Sequence, residues 1–378
     1  MGKKKAIAVA AVALSGAFLA TGCSSGSGRG SNGDTDWSKA TSVAQSGGMK
    51  ALIAAAQNEG ELNVIGLRTS WANYGNIMRS FTAKYGIKIN DMNPAASSQD
   101  EIRAMVRLKG QSRAPDVLDM VTGFAIKARQ QHLLAKYQVA EWNDIPAAEK
   151  STDGTWYGAY GGYVAIGYDS KKVKVPPTSL KDLAKPVYKH QVAIHGNPTE
   201  ASTAFSAVYA AALANGGSLG NIKPGVKFFA KLKKNGNFLS VTAGPKTVRS
   251  GQTPIVVWWD YLLASEISAN HPDFKIVIPT DASYPAYYDQ AISADAPHPA
   301  AARLWEEYLY SVTGQNLWLK GKVRPVEQPT MVVNGTIDKQ ANAALPPEPS
   351  TPLEIPTPAQ LSAANKVVGK QWPAKVGR

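Results

Sequence analysis

Two rhythms of apolar residues alternate along the body of the chain, one of helical and one of strand period. A helical stretch at 51–58 stops at Gly60, and 61–66 then reads as a short buried strand, with Leu62, Val64 and Ile65 between turn residues. The polar loop 68–74 opens a second helix that runs through Phe81. The unit recurs, with strands at 87–90 and 115–120 and helices at 99–110 and 125–134. After a segment rich in Gly, Tyr and Trp at 153–160, strands are expected at 163–168, 191–195, 254–259 and 275–279. Helices are expected at 200–215, 224–234, 262–269, 300–311 and 315–319, with a loop and short helix at 176–188. A Pro-rich arm at 345–358 leads to a last helix, and no internal repeat is evident. Alternation on this scale implies an α/β chain with doubly wound sheets. In such sheets, loops beyond the carboxyl ends of strands carry ligands.

The first residues follow another logic. Lys3, Lys4 and Lys5 precede an apolar run at 6–19, and Gly22-Cys23 follows, which is the pattern of a bacterial export signal at 1–22. The run falls short of the roughly 20 apolar residues a spanning helix needs. Cys23 is the only cysteine in 378 residues, so no intramolecular disulfide can form. Residues 19–23 resemble a lipobox, in which cleavage before the cysteine frees it for a diacylglyceryl chain; Ala20 stands where Leu is commonest. The plainer alternative is a stray cysteine beside an ordinary signal peptide. Myristoylation at Gly2 is set aside because Ala6 stands where that motif has Ser or Thr. Ser, Gly, Asn and charged residues then predict a flexible tether, given as 23–49 with the lipidated cysteine included.

The remaining length exceeds what one core usually holds, so two lobes are expected. The net charge of +13 raises nucleic-acid binding. Lys and Arg are scattered and no recognition motif appears, so the excess reads as a solvated basic surface near an anionic envelope. Enzyme readings find little support. His132, His190, His195, His271 and His298 lack metal-type spacing, Ser80, Ser250 and Ser293 lack a nucleophile elbow, and the Gly pairs at 161–162 and 216–217 match no phosphate-binding loop. No cofactor and no metal is expected. A secreted hydrolase and a receptor without a transport role stay as alternatives.

Six segments taken in order carry a resemblance: ALIAAAQNEGELNVIG (51–66), FTAKYGIKI (81–89), APDVLDM (114–120), GYVAIGYDSKKV (162–173), GNPTEASTAF (196–205) and AISADAPHPAAARLWEEYLYSVTGQNLW (291–318). Together the chain resembles the extracellular solute-binding proteins of ABC importers with the type II periplasmic-binding fold, in the branch of ferric-iron and polyamine receptors. The resemblance implies two α/β lobes with a ligand cleft between them and hinge closure on binding. One lobe would take 50–160 and 280–378 and the other 161–279, with crossovers near 163–169 and 276–281. It also implies a small-molecule solute, an ABC permease as partner, a monomer, and attachment to the membrane through Cys23.

Loops that would converge on the cleft are rich in aromatics. Trp71, Tyr74, Phe124, Trp156, Tyr160, Trp258, Trp259, Tyr287 and Tyr288 could box an organic cation or planar group, or they could simply fill cores and lobe interfaces. Thr69 lies in the first of these loops. Asn197, Ser202 and Thr203 flank the start of a helix whose free N–H groups suit an anion, with capping by Thr199 as the plain reading. In polyamine receptors of this fold an aspartate after the strand matching 254–259 pairs with an ammonium, and Asp260 is similar in placement; it also stands where an N-cap would. Ferric receptors hold iron through adjacent tyrosines there, whereas here only Tyr261 is present. Arg68 would favour an acidic ligand, or is an exposed loop arginine. The ligand favoured is a small organic cation of polyamine type, ahead of ferric iron and of an organic anion such as a phosphonate.

Overall fold

The runs of buried apolar residues become strands where β-branched and aromatic side chains concentrate. In a computed structural model that describes residues 35–285, 287–347, 349 and 355–377, these are β1 (Glu61–Val64), β2 (Lys88–Asp91), β3 (Val117–Val121), β4 (Tyr157–Gly161), β5 (Val164–Asp169), β6 (Val192–Ile194), β7 (Phe238–Thr242), β8 (Ile255–Trp259), β9 (Phe274–Val277), β10 (Tyr288–Ile292) and β11 (Arg324–Pro325). Cys23, the export signal and the tether up to residue 34 lie outside the described residues. Helices α1 (Gly48–Glu59), α2 (Tyr74–Tyr85), α3 (Ser98–Arg107), α4 (Thr122–Gln130), α5 (Ser202–Ala214) and α6 (Lys223–Lys234) follow strands or precede them in the expected alternation. No helix among the described residues is long and apolar enough to cross a membrane.

The fold is α/β and two-lobed, and its sheets divide by lobe within the compact unit Thr35–Arg378. One lobe holds a four-stranded sheet in the order β11-β4-β10-β3 and the parallel pair β1-β2, which the Asp116 N–H joins to β3 by donating to the Asn63 carbonyl at 2.9 Å. The other lobe holds a five-stranded sheet in the order β7-β6-β8-β5-β9. Its centre is mixed: β6 pairs with β8 in parallel, whereas β5 runs antiparallel to both β8 and β9. The reason is topological, since β5 enters from the other lobe rather than through a helical crossover within its own. Every residue of β5 and β8 is buried, as expected of strands covered on both faces.

Four strands were not legible as such in the sequence, one of them the two-residue β11. β10 falls where a cleft loop was expected, because Asp289 and Gln290 interrupt the apolar pattern inside a fully covered strand. Gln290 is tolerated there by donating to the Asp119 carboxylate at 2.7 Å and the Tyr74 hydroxyl at 3.1 Å. β4 is hidden by its glycines, and a Cβ on Gly158 would stand 3.2 Å from the Glu149 Cβ. β7 is a half-exposed edge strand with little apolar signal. After β8 the expected helix 262–269 is instead a single α-turn, Asp260–Leu262, followed by a π-turn, Leu263–Ile267.

Both ends of the described chain are more engaged than their composition suggests. Residues 35–47, part of the expected tether, pack on the body: Trp37, Ala40 and Val43 are buried, and Arg303 donates to the Ala40 and Ser38 carbonyls. Three apolar residues spaced by three in a polar stretch were enough to dock it. The C-terminal helix, Pro358–Lys375, was expected with the first lobe but leans on the second. Its buried stripe of Ala364, Val368, Trp372 and Val376 seats Trp372 against Phe229 of α6 and Phe238 of β7, with ring centroids 5.4 and 6.1 Å away. Helix α6 in turn meets α5 closely because Gly225 leaves room: a Cβ there would lie 2.0 Å from the Val208 carbonyl oxygen.

The helix Pro299–Leu309 packs on α1 and takes its cap from it, since the Ala300 and Ala301 N–H groups donate to the Glu59 carboxylate at 3.0 and 2.7 Å. Burial raises the Glu59 pKa and these two bonds oppose the rise. Glu59→Ala is expected to lower unfolding free energy by about 1–2 kcal/mol, the worth of a helix cap, as read from the midpoint of a urea melt.

Candidate functional site

The chain passes from β4 of one lobe's sheet to β5 of the other's through residues 162–163 and returns after β9 to β10. Gly162 lets the first crossing pass, because a Cβ there would stand 2.0 Å from Asp260 Oδ1. A cavity of about 990 Å³ opens at this place. Ligand pockets for small organic molecules span roughly 300–1,000 Å³.

Its walls come from both lobes. The first lobe contributes Thr122, Gly123 and Phe124 from the start of α4, and the second contributes Ala201, Ser202 and Phe205 from the start of α5 and Trp259 from the end of β8. Tyr284 and Tyr287 of the return crossover close the back, and Leu361, Ser362 and Asn365 of the C-terminal helix cover one side. Neither α4 nor α5 has a side-chain cap at its start. Residues of both first turns line the cavity, and the positive ends of the helix dipoles there suit a polar or anionic group.

The charge in the floor has the opposite sign. Glu149 lines the cavity, and burial pushes its carboxyl up to about 8. Behind it, Asp289 faces Gly158 across the β4–β10 pairing, on the residue against which Glu149 packs. Burial first, and Glu149 second, hold the Asp289 carboxyl well above the usual range. The Asp289 carboxyl is fully buried, and the Thr122 side chain is the group that opposes the rise. Among the described residues no Lys, Arg or His forms an ion pair with either acid. Two facing acids at this depth cannot both ionise without a cation.

Behind the Trp259 wall lies a dense aromatic network. Trp71 Nε1 donates to the Tyr160 hydroxyl at 3.0 Å, and that hydroxyl donates to Asp119 at 2.7 Å. Burial lifts the Asp119 carboxyl to about 7. Tyr160 stacks on Tyr288 with ring centroids 5.6 Å apart, and Tyr261 of the second lobe lies 6.5 Å from Tyr160 and 6.4 Å from Trp71. The Tyr261 hydroxyl is buried with no hydrogen-bond partner.

Of the residues singled out from the sequence, Phe124, Ser202, Trp259 and Tyr287 line the cavity. Trp71, Tyr74, Tyr160 and Tyr288 belong to the network behind it. Trp258 points to the other face of β8 and stacks on His195 at 3.9 Å, as strand alternation requires. Trp156 is a core residue. Asn197 turns its side chain to its own loop, accepting from the Thr199 N–H, so Asn197 and not Thr199 caps the turn. Thr69 and Arg68 are exposed and outside the cavity lining, and the Thr69 carbonyl accepts the Gly75 N–H. Asp260 is also outside it: it accepts the Tyr163 N–H at 2.9 Å and sits 3.8 Å from Arg324, both buried, so its charge is used to tie the crossover to β11. Glu149, Tyr284 and Phe205 were not singled out. Glu149 lies in a polar loop without period, and only the pairing of β4 with β10 reveals what it faces. No cluster of three or more His, Cys, Asp or Glu among the described residues is arranged for a metal ion.

Two lobes, a double crossover and an aromatic cavity between them are the features of a solute-binding protein. The chain belongs to the bacterial extracellular solute-binding protein family, whose model matches residues 112–346. The family is one of extracellular solute-binding proteins, and the fold is the type II periplasmic-binding fold. The chain's sequence is 27% identical over 228 residues to iron uptake protein A1 of Synechocystis sp., a match covering 59% of this chain and 61% of that relative. The fold matches iron-bound HitA from Pseudomonas aeruginosa with a TM-score of 0.62 at 20% identity, covering 84% of this chain and 99% of that one. It also matches a putative spermidine/putrescine ABC transporter protein from Listeria monocytogenes with a TM-score of 0.61 at 12% identity, covering 82% and 98%.

Proposed function

We propose that this receptor captures a small organic amine and hands it to an ABC permease, acting as a monomer held to the cell membrane by an acyl chain on Cys23. The observation that carries the ligand is Glu149, a buried acid in the cavity floor with a second acid, Asp289, behind it and no basic partner for either among the described residues. An ammonium supplies the missing charge, and the faces of Phe124, Trp259 and Tyr287 favour it further. The uncapped starts of α4 and α5 suit a polar or anionic group at the ligand's other end. The lobes would be 50–160 with 280–357 on one side and 161–279 with the C-terminal helix on the other.

A thermal-shift screen over polyamines, amino alcohols, ferric citrate, phosphonates and sugars tests the reading. A cognate amine at 100 times its Kd adds about 2.7 kcal/mol of stability. No stabilisation by any amine, with a clear shift from a neutral sugar, would refute it.

The acid in the floor also sets a pH dependence. With a carboxyl raised to about 8, amine binding must displace a proton at neutral pH. Affinity is therefore expected to rise about tenfold per pH unit up to 8 and to level off above. In the free protein the sign is reversed: a raised carboxyl contributes stability that is full below its unfolded pKa and lost as pH rises through 8. The ligand-induced shift in Tm should accordingly be larger at pH 8.5 than at pH 6. Calorimetry in two buffers of different ionisation heat reads the released proton directly.

Ferric iron is the second reading, favoured by the meeting of Tyr160 and Tyr288 of one lobe with Tyr261 of the other, whose hydroxyl has no partner. Phenolate oxygens suit a hard trivalent ion, and the 27% identical relative is an iron uptake protein. The size of the open cavity argues for an organic ligand instead. A visible ferric–phenolate absorption band on adding ferric citrate would favour iron.

A further inference from the structure

The chain passes between the lobes a third time. At Pro346 it is still on the first lobe, where that residue's carbonyl accepts from Arg324 of β11, and at Trp372 it is buried on the second, against Phe229 of α6 and Phe238 of β7. The family match ends at residue 346, so this passage lies outside it. The C-terminal helix makes the passage, and its two ends are held unequally. Trp372 is 3% exposed and lies against two phenylalanine rings, and one turn further on Lys233 of α6 donates to the Val376 carbonyl. At the other end Leu361 is only half-buried, and it meets the first lobe at Gly123 of α4, where a Cβ would stand 3.5 Å from Leu361 Cδ1. About 16 Å of helix, at 1.5 Å per residue, separates the two contacts. A capping box of Thr357 and Gln360 completes the helix start without help from either lobe. The first-lobe end is thus a firm helix resting on an apolar touch, and Leu361, Ser362 and Asn365 there line the cavity.

We propose that this helix is a latch on the cavity, anchored on the second lobe at Trp372 and released from the first at Leu361, and that it limits the size of solute that enters. The tighter contact decides which lobe the helix follows. Burial free energy scales with the apolar area removed from water, and an indole packed against two phenyl rings removes far more than a half-buried isobutyl group. The helix therefore travels with the second lobe, and the contact of Leu361 with Gly123 is the one that breaks. Gly123 suits that end because it presents bare backbone, on which a leucine can seat and leave without moving a side chain of its own residue. A helix that served only the second lobe would be complete with Ala364, Val368, Trp372 and Val376. Leu361 continues that stripe by one turn and meets the other lobe. The latch rests on the cavity being the solute site, as proposed above, and not on which solute fills it.

Thiol labelling inside the cavity tests the latch without any solute. In the full chain with Cys23→Ser, the change Ser206→Cys puts the sole thiol on the α5 wall of the cavity, at a position 7% exposed. Its reaction with N-ethylmaleimide and with the bulkier fluorescein maleimide is timed separately. Adding Leu361→Ala should speed the bulky reagent about tenfold, the effect of losing one half-buried leucine contact, and the small reagent markedly less. Leu361→Met keeps the reach of the side chain and should label like the parent. Val367→Ala, on the same helix but outside the cavity lining, should leave both rates unchanged and controls for general loosening. Unchanged labelling by the bulky reagent in Leu361→Ala, equal acceleration of the two reagents, or equal acceleration by Val367→Ala would each overturn the latch. The amine screen above succeeds or fails independently, since no step of the labelling uses an amine.

Discussion

Glu149→Gln is expected to weaken binding of the cognate amine about 10- to 100-fold in titration calorimetry, the range of one charge-assisted hydrogen bond. The amide keeps the shape of the side chain and its packing on Gly158 but cannot take a negative charge. Asp289→Asn should act in the same direction and less strongly, because Asp289 is fully buried and is not among the residues that line the cavity. The two substitutions should not be additive, since neighbouring acids titrate as a pair. Glu149→Gln should also lose the rise of affinity with pH and make the free protein more stable above pH 8, where the wild-type carboxyl must ionise in a buried place, whereas Asp289→Asn should keep that rise. Amine affinity unchanged in Glu149→Gln, with the fold intact, would remove the acid from the site and leave the phenol cluster as the stronger candidate.

The largest loss of stability is expected at Arg324, not at any residue of the cavity. Its guanidinium lies 3.8 Å from Asp260 and 5.1 Å from the Tyr163 ring centroid, and it donates to the Pro346 carbonyl, so one side chain joins β11, the first crossover, the turn after β8 and the chain at Pro346. Arg324→Ala leaves Asp260 buried without its counter-charge and should lower unfolding free energy by about 3–5 kcal/mol, the penalty for breaking a buried ion pair from one side. Asp260→Asn should be milder. Burial has already lifted the Asp260 carboxyl to about 6 against the opposing pull of Arg324, and an amide oxygen can still accept the Tyr163 N–H. A urea melt separates the two variants. If instead Asp260→Asn abolished amine binding while leaving stability untouched, Asp260 would be a ligand contact and the role of Glu149 would need revision.

What could be read in the chain alone divides by the range of the interaction. Local periodicity placed α1 to α6 and most strands within a few residues, because an amphipathic helix or an apolar strand is stamped in consecutive side chains. The order of the six resembling segments led to the receptor family that the match over 112–346 shows. The misses share one cause. β10 is a strand whose Gln290 is satisfied by Asp119 and Tyr74, which lie far away in sequence, and β4 is one whose Gly158 makes space for Glu149.

Residue type likewise suggested an aromatic cleft without deciding which ring faces it. Phe124, Trp259 and Tyr287 reach the cavity, whereas Trp71, Tyr74 and Tyr160 turn to one another, a choice made by strand alternation and by a buried carboxylate at Asp119. An aspartate placed by analogy proved to be committed to Arg324, 64 residues further along the chain, since a buried charge goes to whichever partner the fold brings near. Composition and period thus determined the class of fold and the export pattern of the first residues. Which acid stands open to a solute depended on contacts between segments far apart in the chain, which no local pattern records.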